Sequence, residues 1–214
     1  MINNRFKYQF SFIVLICIFF SCGRVYHKSE FNIANNSFQT HSTLNINGFY
    51  IDTLVIGERT IPPLYPRKIC VSPMVLFADG TVIKIHGVYC RPWFDGQQVK
   101  PLVKELIKQI EFEIEKNDLT MKTEPEIWDW GMYRIEKNEI KMQVYKNHQG
   151  DYHLVDYWGE IKNDSIIQFN LSTDRAKKTL KEDINEEYIF CKFDMRPDSS
   201  NYIKKHLIEF GKKK

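Results

Sequence analysis

From Gly48 onward, apolar and aromatic residues fall in short runs, each closed by a turn signal about 8 to 12 residues after the last. That rhythm predicts an antiparallel β protein, because a strand of ordinary length must be followed by a turn. Residues 49–57 predict a first strand. The runs 68–77 and 81–90 flank Asp79-Gly80, where glycine supplies the positive φ that a tight hairpin needs. In 130–145 a turn at Lys137-Asn138 sets Ile135 opposite Ile140 and Tyr133 opposite Met142. In 152–171 a turn at Asn163-Asp164 sets Ile161 opposite Ile166 and Trp158 opposite Phe169. Apolar partners coincide in both registers, as cross-strand stabilisation requires. Asn147 to Gly150 predicts another turn, and 187–193 a last strand that stops at Arg196-Pro197.

One stretch changes period. Over 97–117, Val99, Leu102, Val103, Leu106, Ile107, Ile110 and Ile114 recur at steps of three and four, the spacing of one helix face. A shorter helix is expected over about 201–210. The expectation is a mainly β (α+β) fold: an antiparallel meander of about eight strands, with one inserted amphipathic helix and a short C-terminal helix. Closing the meander into a barrel removes the exposed edges it would otherwise leave.

The N-terminus follows a different pattern. Arg5 and Lys7 precede an uninterrupted apolar run from Phe12 to Phe20, about nine residues long, where a spanning helix needs about 20. A positive start, a short apolar run and a small-residue exit predict a secretory signal over 1–21. The exit, Phe19-Phe20-Ser21-Cys22-Gly23, resembles the lipobox of bacterial lipoproteins. That resemblance implies lipidation of Cys22, which becomes the new N-terminus. Diacylglycerol with an N-acyl chain exceeds the two-signal threshold for stable membrane anchoring. Residues 22–47, polar and rich in Asn and Ser, are expected to be a flexible tether, and 48–214 a single domain. The expected place is the bacterial cell envelope, lipid-anchored and facing the periplasm.

Charge adds little to this picture. The net charge of +3 over 214 residues falls by two when the signal is set aside. There is no basic stripe of the kind a nucleic-acid binder presents. No nucleotide loop, Gly-x-Ser-x-Gly elbow, His-Glu-x-x-His or Cys-x-x-Cys occurs, so no catalytic residue, metal site or cofactor is assigned, and the reading leans away from an enzyme. Beyond Cys17 and Cys22 the cysteines are Cys70, Cys90 and Cys191. Pairing about Asp79-Gly80 brings Cys70 opposite residue 89 or 90, making Cys70 and Cys90 a candidate disulfide in an oxidising compartment. Two buried thiols, or a metal site with His86, are the alternatives, and Cys191 reads as a small core residue. His148 and His153 flank a turn, as exposed histidines or as a ligand pair. Glu124, Glu126 and Asp129 surround Trp128 and Trp130, as loop acids or as an acid/base pair.

Aromatic residues crowd the strands, either to fill a barrel or to line a cavity in it. Trp130, Met142, Leu154 and Tyr157 are the candidate pocket. Gly48-Phe49-Tyr50, Leu76 to Gly80, Trp130 to Ile140 and Arg196 to Ile203, together with the lipobox, resemble the small lipocalin-like lipoproteins of Bacteroidetes. Tyr50 stands where lipocalins carry a tryptophan, and the helix sits mid-barrel. The resemblance implies a barrel architecture and no particular ligand. The functional expectation is a membrane-anchored lipoprotein that binds a small hydrophobic or amphipathic ligand. The alternative is an envelope protein with a packed barrel core and a protein-binding outer face.

Overall fold

The alternation just described closes the chain into a ring. In the computed structural model the described residues are 24–33, 44–56, 67–85, 89–94, 96–116, 127–177, 181–195, 197, 199–206 and 210. The signal, the lipobox with Cys22, His86, Glu124 and Glu126 lie outside them. The elements run β1 (Gly48–Ile56), β2 (Arg67–Leu76), β3 (Thr81–Lys84), β4 (Tyr89–Trp93), α1 (Val99–Glu115), β5 (Trp130–Glu136), β6 (Glu139–His148), β7 (Asp151–Asn163), β8 (Ile166–Asp174), β9 (Glu182–Lys192) and α2 (Tyr202–Lys205).

Every pairing between these strands is antiparallel. The order β1-β9-β8-β7-β6-β5-β3-β2, with β1 also paired to β2, makes an eight-stranded closed barrel. β4 is an extra strand. It pairs with Arg67–Val71 of β2, while β3 pairs with the later stretch Met74–Leu76 of that same strand. The expected single run 81–90 is therefore two strands, and Cys70 faces Cys90 across the β2–β4 pair. Gly131 of β5 lies so close to β6 that a Cβ there would sit 2.0 Å from the Gln143 carbonyl oxygen. Only glycine permits that approach.

The β5–β6 hairpin has the expected register, Ile135 with Ile140 and Tyr133 with Met142. The β7–β8 register differs: Ile161 faces Ile167, Gly159 faces Phe169 and Trp158 faces Leu171, with irregularities on both sides of the pair. A bulge inserts a residue in one strand and re-aims those after it.

Two hydrophobic cores share the barrel wall. Inside lie Tyr50, Met74, Leu76, Val82, Tyr133, Ile140, Met142, Val144, Val155, Tyr157, Ile167, Phe169 and Tyr188. Outside, Leu106, Ile110 and Ile114 of α1 pack with Ile69, Val71, Ile83, Tyr89, Trp130, Tyr145 and Leu154 of the strands. α1 thus buries the face that its three-and-four periodicity predicts.

The stretch read as a tether joins both cores. Phe31 and Ile33 are buried in the outer one, and Leu44 in the inner one. Val25 forms a parallel bridge with Tyr152, and the Gln143 side-chain oxygen accepts from the backbone N–H groups of Asn32 and Ile33 at 2.9 and 3.2 Å. Arg175 bridges Glu30 to Asp156. Residues 24–33 therefore lie along the outside of β6 and β7, and the Asn45 N–H reaches the Asp164 carbonyl at 3.0 Å.

Candidate functional site at the loop end of the barrel

The two ends of the lumen differ in their connections. At one end β2–β3, β5–β6 and β7–β8 are joined by tight turns, at Phe77–Gly80, Lys137–Asn138 and Asp164–Ser165. The other end carries the β1–β2, β6–β7 and β8–β9 connections and the long β3–β5 excursion that includes α1. Inward positions follow the same division. Along β6, Ile140, Met142 and Val144 face inward, and two residues further, on the same side of the strand, comes Lys146. On β3, Val82 is followed at the same step by Lys84.

Lys84 is fully buried. Its Nζ lies 2.9 Å from Glu186 Oε2, and 4.5 and 5.2 Å from the ring centroids of Tyr157 and Tyr188. Lys146 also stands over the Tyr157 ring, 5.2 Å from its centroid. The carboxylate of Asp129 acts on both ammonium groups, and buried Asp52 acts on that of Lys84. Asp129 has a left-handed backbone, φ 63°, in the turn before β5. Its carbonyl accepts from Lys84 N–H at 2.9 Å, and its own N–H donates to Tyr145 O at 2.7 Å. The turn is thereby stitched to both strands that carry the lysines.

Loss of water dominates the electrostatics of this cluster. Burial pushes the Asp129 carboxyl up to about 7, against the pull of Lys146 and Lys84. Burial brings Lys146 down to about 7, with Lys84 adding like-charge repulsion. Asp52 rises to about 6, through burial first and the neighbouring Glu186 second. Lys84 is itself lowered by burial, which Glu186 offsets in part. One hydroxyl here, that of Tyr188, is buried without a hydrogen-bond partner among the described residues. The cluster can give or take a proton near neutrality, and its ammonium groups and the unmet Tyr188 hydroxyl suit a ligand bearing an anionic or polar group.

Of the candidate pocket, only Met142 and Tyr157 face the lumen. Trp130 and Leu154 belong to the outer core, with Trp130 stacked on Phe77 at 5.8 Å. The four cannot converge, because side chains alternate across a strand and Leu154 is three residues from Tyr157. Cys70 and Cys90 are joined by a disulfide. Cys191 is free and partly buried, its thiol pushed up to about 11 by burial. His148 and His153 gather with His27, ring centroids 6.0 and 5.6 Å from His153. Among the described residues no three His, Cys, Asp or Glu side chains are disposed to hold a metal ion. Asp129, read from the sequence with Glu124 and Glu126 as a loop acid or one of an acid/base pair, here lies under the influence of Lys146 and Lys84.

Lys84, Lys146, Asp52 and Glu186 are the residues that pattern reading missed. Their signal was available for the two lysines, each standing two positions beyond an inward-facing valine.

No protein-family model matches the chain, and neither the curated proteins nor the solved structures contain a match to it. Among the described residues no helix is long and apolar enough to cross a membrane.

Proposed function

We propose that this chain is a lipid-anchored lipoprotein of the bacterial cell envelope whose barrel holds a small amphipathic molecule, its polar group at the loop end. The lipobox at Phe19 to Gly23 supports the anchor. The observation that carries the binding half is the cluster of buried Lys84 and Asp52 with partly buried Lys146, Asp129 and Glu186, the Tyr188 hydroxyl beside it being unsatisfied. A core built only for stability gains little from buried ion pairs, since apolar replacements of the same volume serve as well or better. Perturbed ionisable groups gathered in one place are a mark of functional sites.

Native mass spectrometry of the full chain, extracted from its host membrane in mild detergent, tests the reading. The expected result is a bound small molecule in the wild type that is lost in Lys146→Met. A wild type that carries nothing, and that takes up no anionic amphiphile such as a fatty acid, overturns it.

A second reading, an envelope scaffold with a protein-binding outer face, has one observation in its favour. The turn-end half of the lumen is filled by fully buried Tyr50, Leu76 and Phe169. The same measurement separates the two, because a scaffold carries no small molecule in either variant.

A further inference from the structure

The stretch that follows the lipobox is bound to one end of the barrel. The Tyr152 N–H donates to the Arg24 carbonyl at 2.7 Å, and the Tyr26 N–H donates to the Tyr152 carbonyl at 2.9 Å. The Arg24 N–H donates to Asp151 Oδ1 at 2.9 Å. The Tyr26 ring stacks on His153, centroids 4.8 Å apart. Asp151 and Tyr152 begin β7, directly after the β6–β7 turn, so this attachment sits at the loop end. Arg24 is two residues past Cys22. Covalent geometry limits the Cα separation across those two residues to about 7 Å, whatever path the chain takes between them.

From this we infer that the loop end of the barrel rests on the bilayer surface, so that the charged end of the lumen faces toward phospholipid headgroups rather than away from them. The inference rests on the lipid-anchor half of the proposed function and is independent of the ligand half. A lipid on Cys22 keeps that residue at the headgroup level, and a linkage of about 7 Å cannot carry the barrel clear of the membrane. A second observation concerns the same end. Tyr26, Leu54, Val55, Ile56 and Trp128, from the N-terminal stretch, the far end of β1 and the turn before β5, are 36% to 51% exposed. Tyrosine, tryptophan and aliphatic side chains are what a protein presents to the boundary between headgroups and acyl chains. At the turn end, the exposed hairpin tip Lys137-Asn138 is polar, and Ile189 is an exposed apolar side chain there.

Hydrogen exchange read by mass spectrometry tests the orientation, on the full chain reconstituted in vesicles of phosphatidylethanolamine with a minority of phosphatidylglycerol. The comparison is with a chain carrying a long Gly/Ser insertion between Gly23 and Arg24. With the native spacing, exchange should slow several-fold in the Asn147–Asp151 turn and around Trp128, and stay unchanged at Lys137–Asn138 and Asp164–Ser165. The insertion should remove that protection while the chain stays on the vesicles. Protection at the turn end, or none that depends on the insertion, overturns the orientation. The mass of the N-terminal peptide in the same digest reports the lipid. If that peptide carries none, the lipoprotein reading itself fails and the orientation with it, and this is distinguishable from a lipidated chain that lies the other way.

Discussion

The two halves of the barrel interior are made from the same eight strands and have opposite characters. At the turn end, inward positions hold Tyr50, Leu76, Ile140, Ile167 and Phe169, packed as a protein core is packed. At the loop end, the same alternating positions hold Lys84, Lys146, Asp52 and Glu186. A tight turn brings inward side chains of neighbouring strands together locally, so apolar pairs there are simple to build. The loop end has no such closure, and its interior is organised by charge. The turn half therefore gives the barrel its stability. The loop half carries a desolvation cost that a purely structural barrel has no reason to keep.

The largest expected effect lies on the turn side of that contrast. Phe169 is fully buried, with Tyr157 and Tyr188 each 5.8 Å away in edge contacts. Phe169→Ala should destabilise the fold by about 3–5 kcal/mol, the range for emptying an aromatic site. Urea unfolding midpoints measure it. A loss below about 1 kcal/mol would mean that this half of the lumen is loosely filled, which would erase the difference between the ends.

At the loop end a single substitution and a double one should disagree. Lys84→Met removes an ammonium group and leaves Asp52 and Glu186 facing each other. Glu186 is about a quarter exposed, so water offsets part of the cost, and a loss of about 2–3 kcal/mol is expected, below the range for a wholly buried pair. Adding Glu186→Leu should restore most of it, because no uncompensated charge then remains beside Asp52 except its own, which can protonate. Equal losses in the single and double variants would show that the pair contributes packing rather than charge.

The pH response separates the ends next, since the inner core residues at the turn end are apolar or phenolic, with no carboxylate, imidazole or amine among them in the described residues, and burial pushes the Tyr50 phenol up. Asp129, raised to about 7, binds more protons folded than unfolded, so its contribution to stability declines as pH rises from about 4 through 7. Lys146, lowered to about 7, binds fewer protons folded than unfolded, so its contribution recovers as pH rises from about 7 toward 10.5. His27 and His153 are both lowered, chiefly by burial, with Arg175 and neighbouring histidines adding to it. Their contribution is lost as pH falls below about 6.5. Between pH 5 and 7 the lumen and the histidines therefore act in opposite directions. Asp129→Asn should remove the larger lumen part and leave that of Asp52, raised to about 6, so that stability at pH 7 relative to pH 5 rises by about 1–2 kcal/mol compared with the wild type. Parallel curves for the two proteins would place Asp129 in water.

The sequence made the turn half legible and left most of the loop half hidden, for a physical reason. Hairpin registers closed by short turns, such as Tyr133 with Met142, follow from local pairing. The β7–β8 register does not, because irregularities beside Trp158 and Ile161 move the partners of every later residue. The placement of Trp130 and Leu154 turned on parity, and one step of slip exchanges inside for outside. Residues 24–33 carry no periodicity that would predict docking. Phe31 and Ile33 find their partners only once α2, β6 and Phe210 are assembled around them. The charges of the loop end come from four strands and one turn, and only the closed ring brings them together.

The smallest effect bears most directly on function. The Tyr188 ring is fully buried and its hydroxyl has no hydrogen-bond partner among the described residues. Burial and the nearby carboxylates of Glu186 and Asp52 hold its pKa far above that of a free phenol, so it remains a neutral donor at any ordinary pH. A buried hydroxyl with nothing to bond costs the fold about 1–3 kcal/mol in lost hydration. Tyr188→Phe keeps the ring, its contacts with Phe169 and its position under Lys84, and deletes only that oxygen. Without ligand the variant should be as stable as the wild type or more stable by up to about 1 kcal/mol. With an anionic amphiphile bound, the order should reverse, because the hydroxyl then has an acceptor and its loss weakens binding by about 1 kcal/mol. Thermal midpoints for both proteins with and without a fatty acid would read the crossing. A variant less stable than the wild type in the absence of ligand would mean that the hydroxyl is already satisfied within the fold, and the loop end would then lose its clearest sign of an awaited partner.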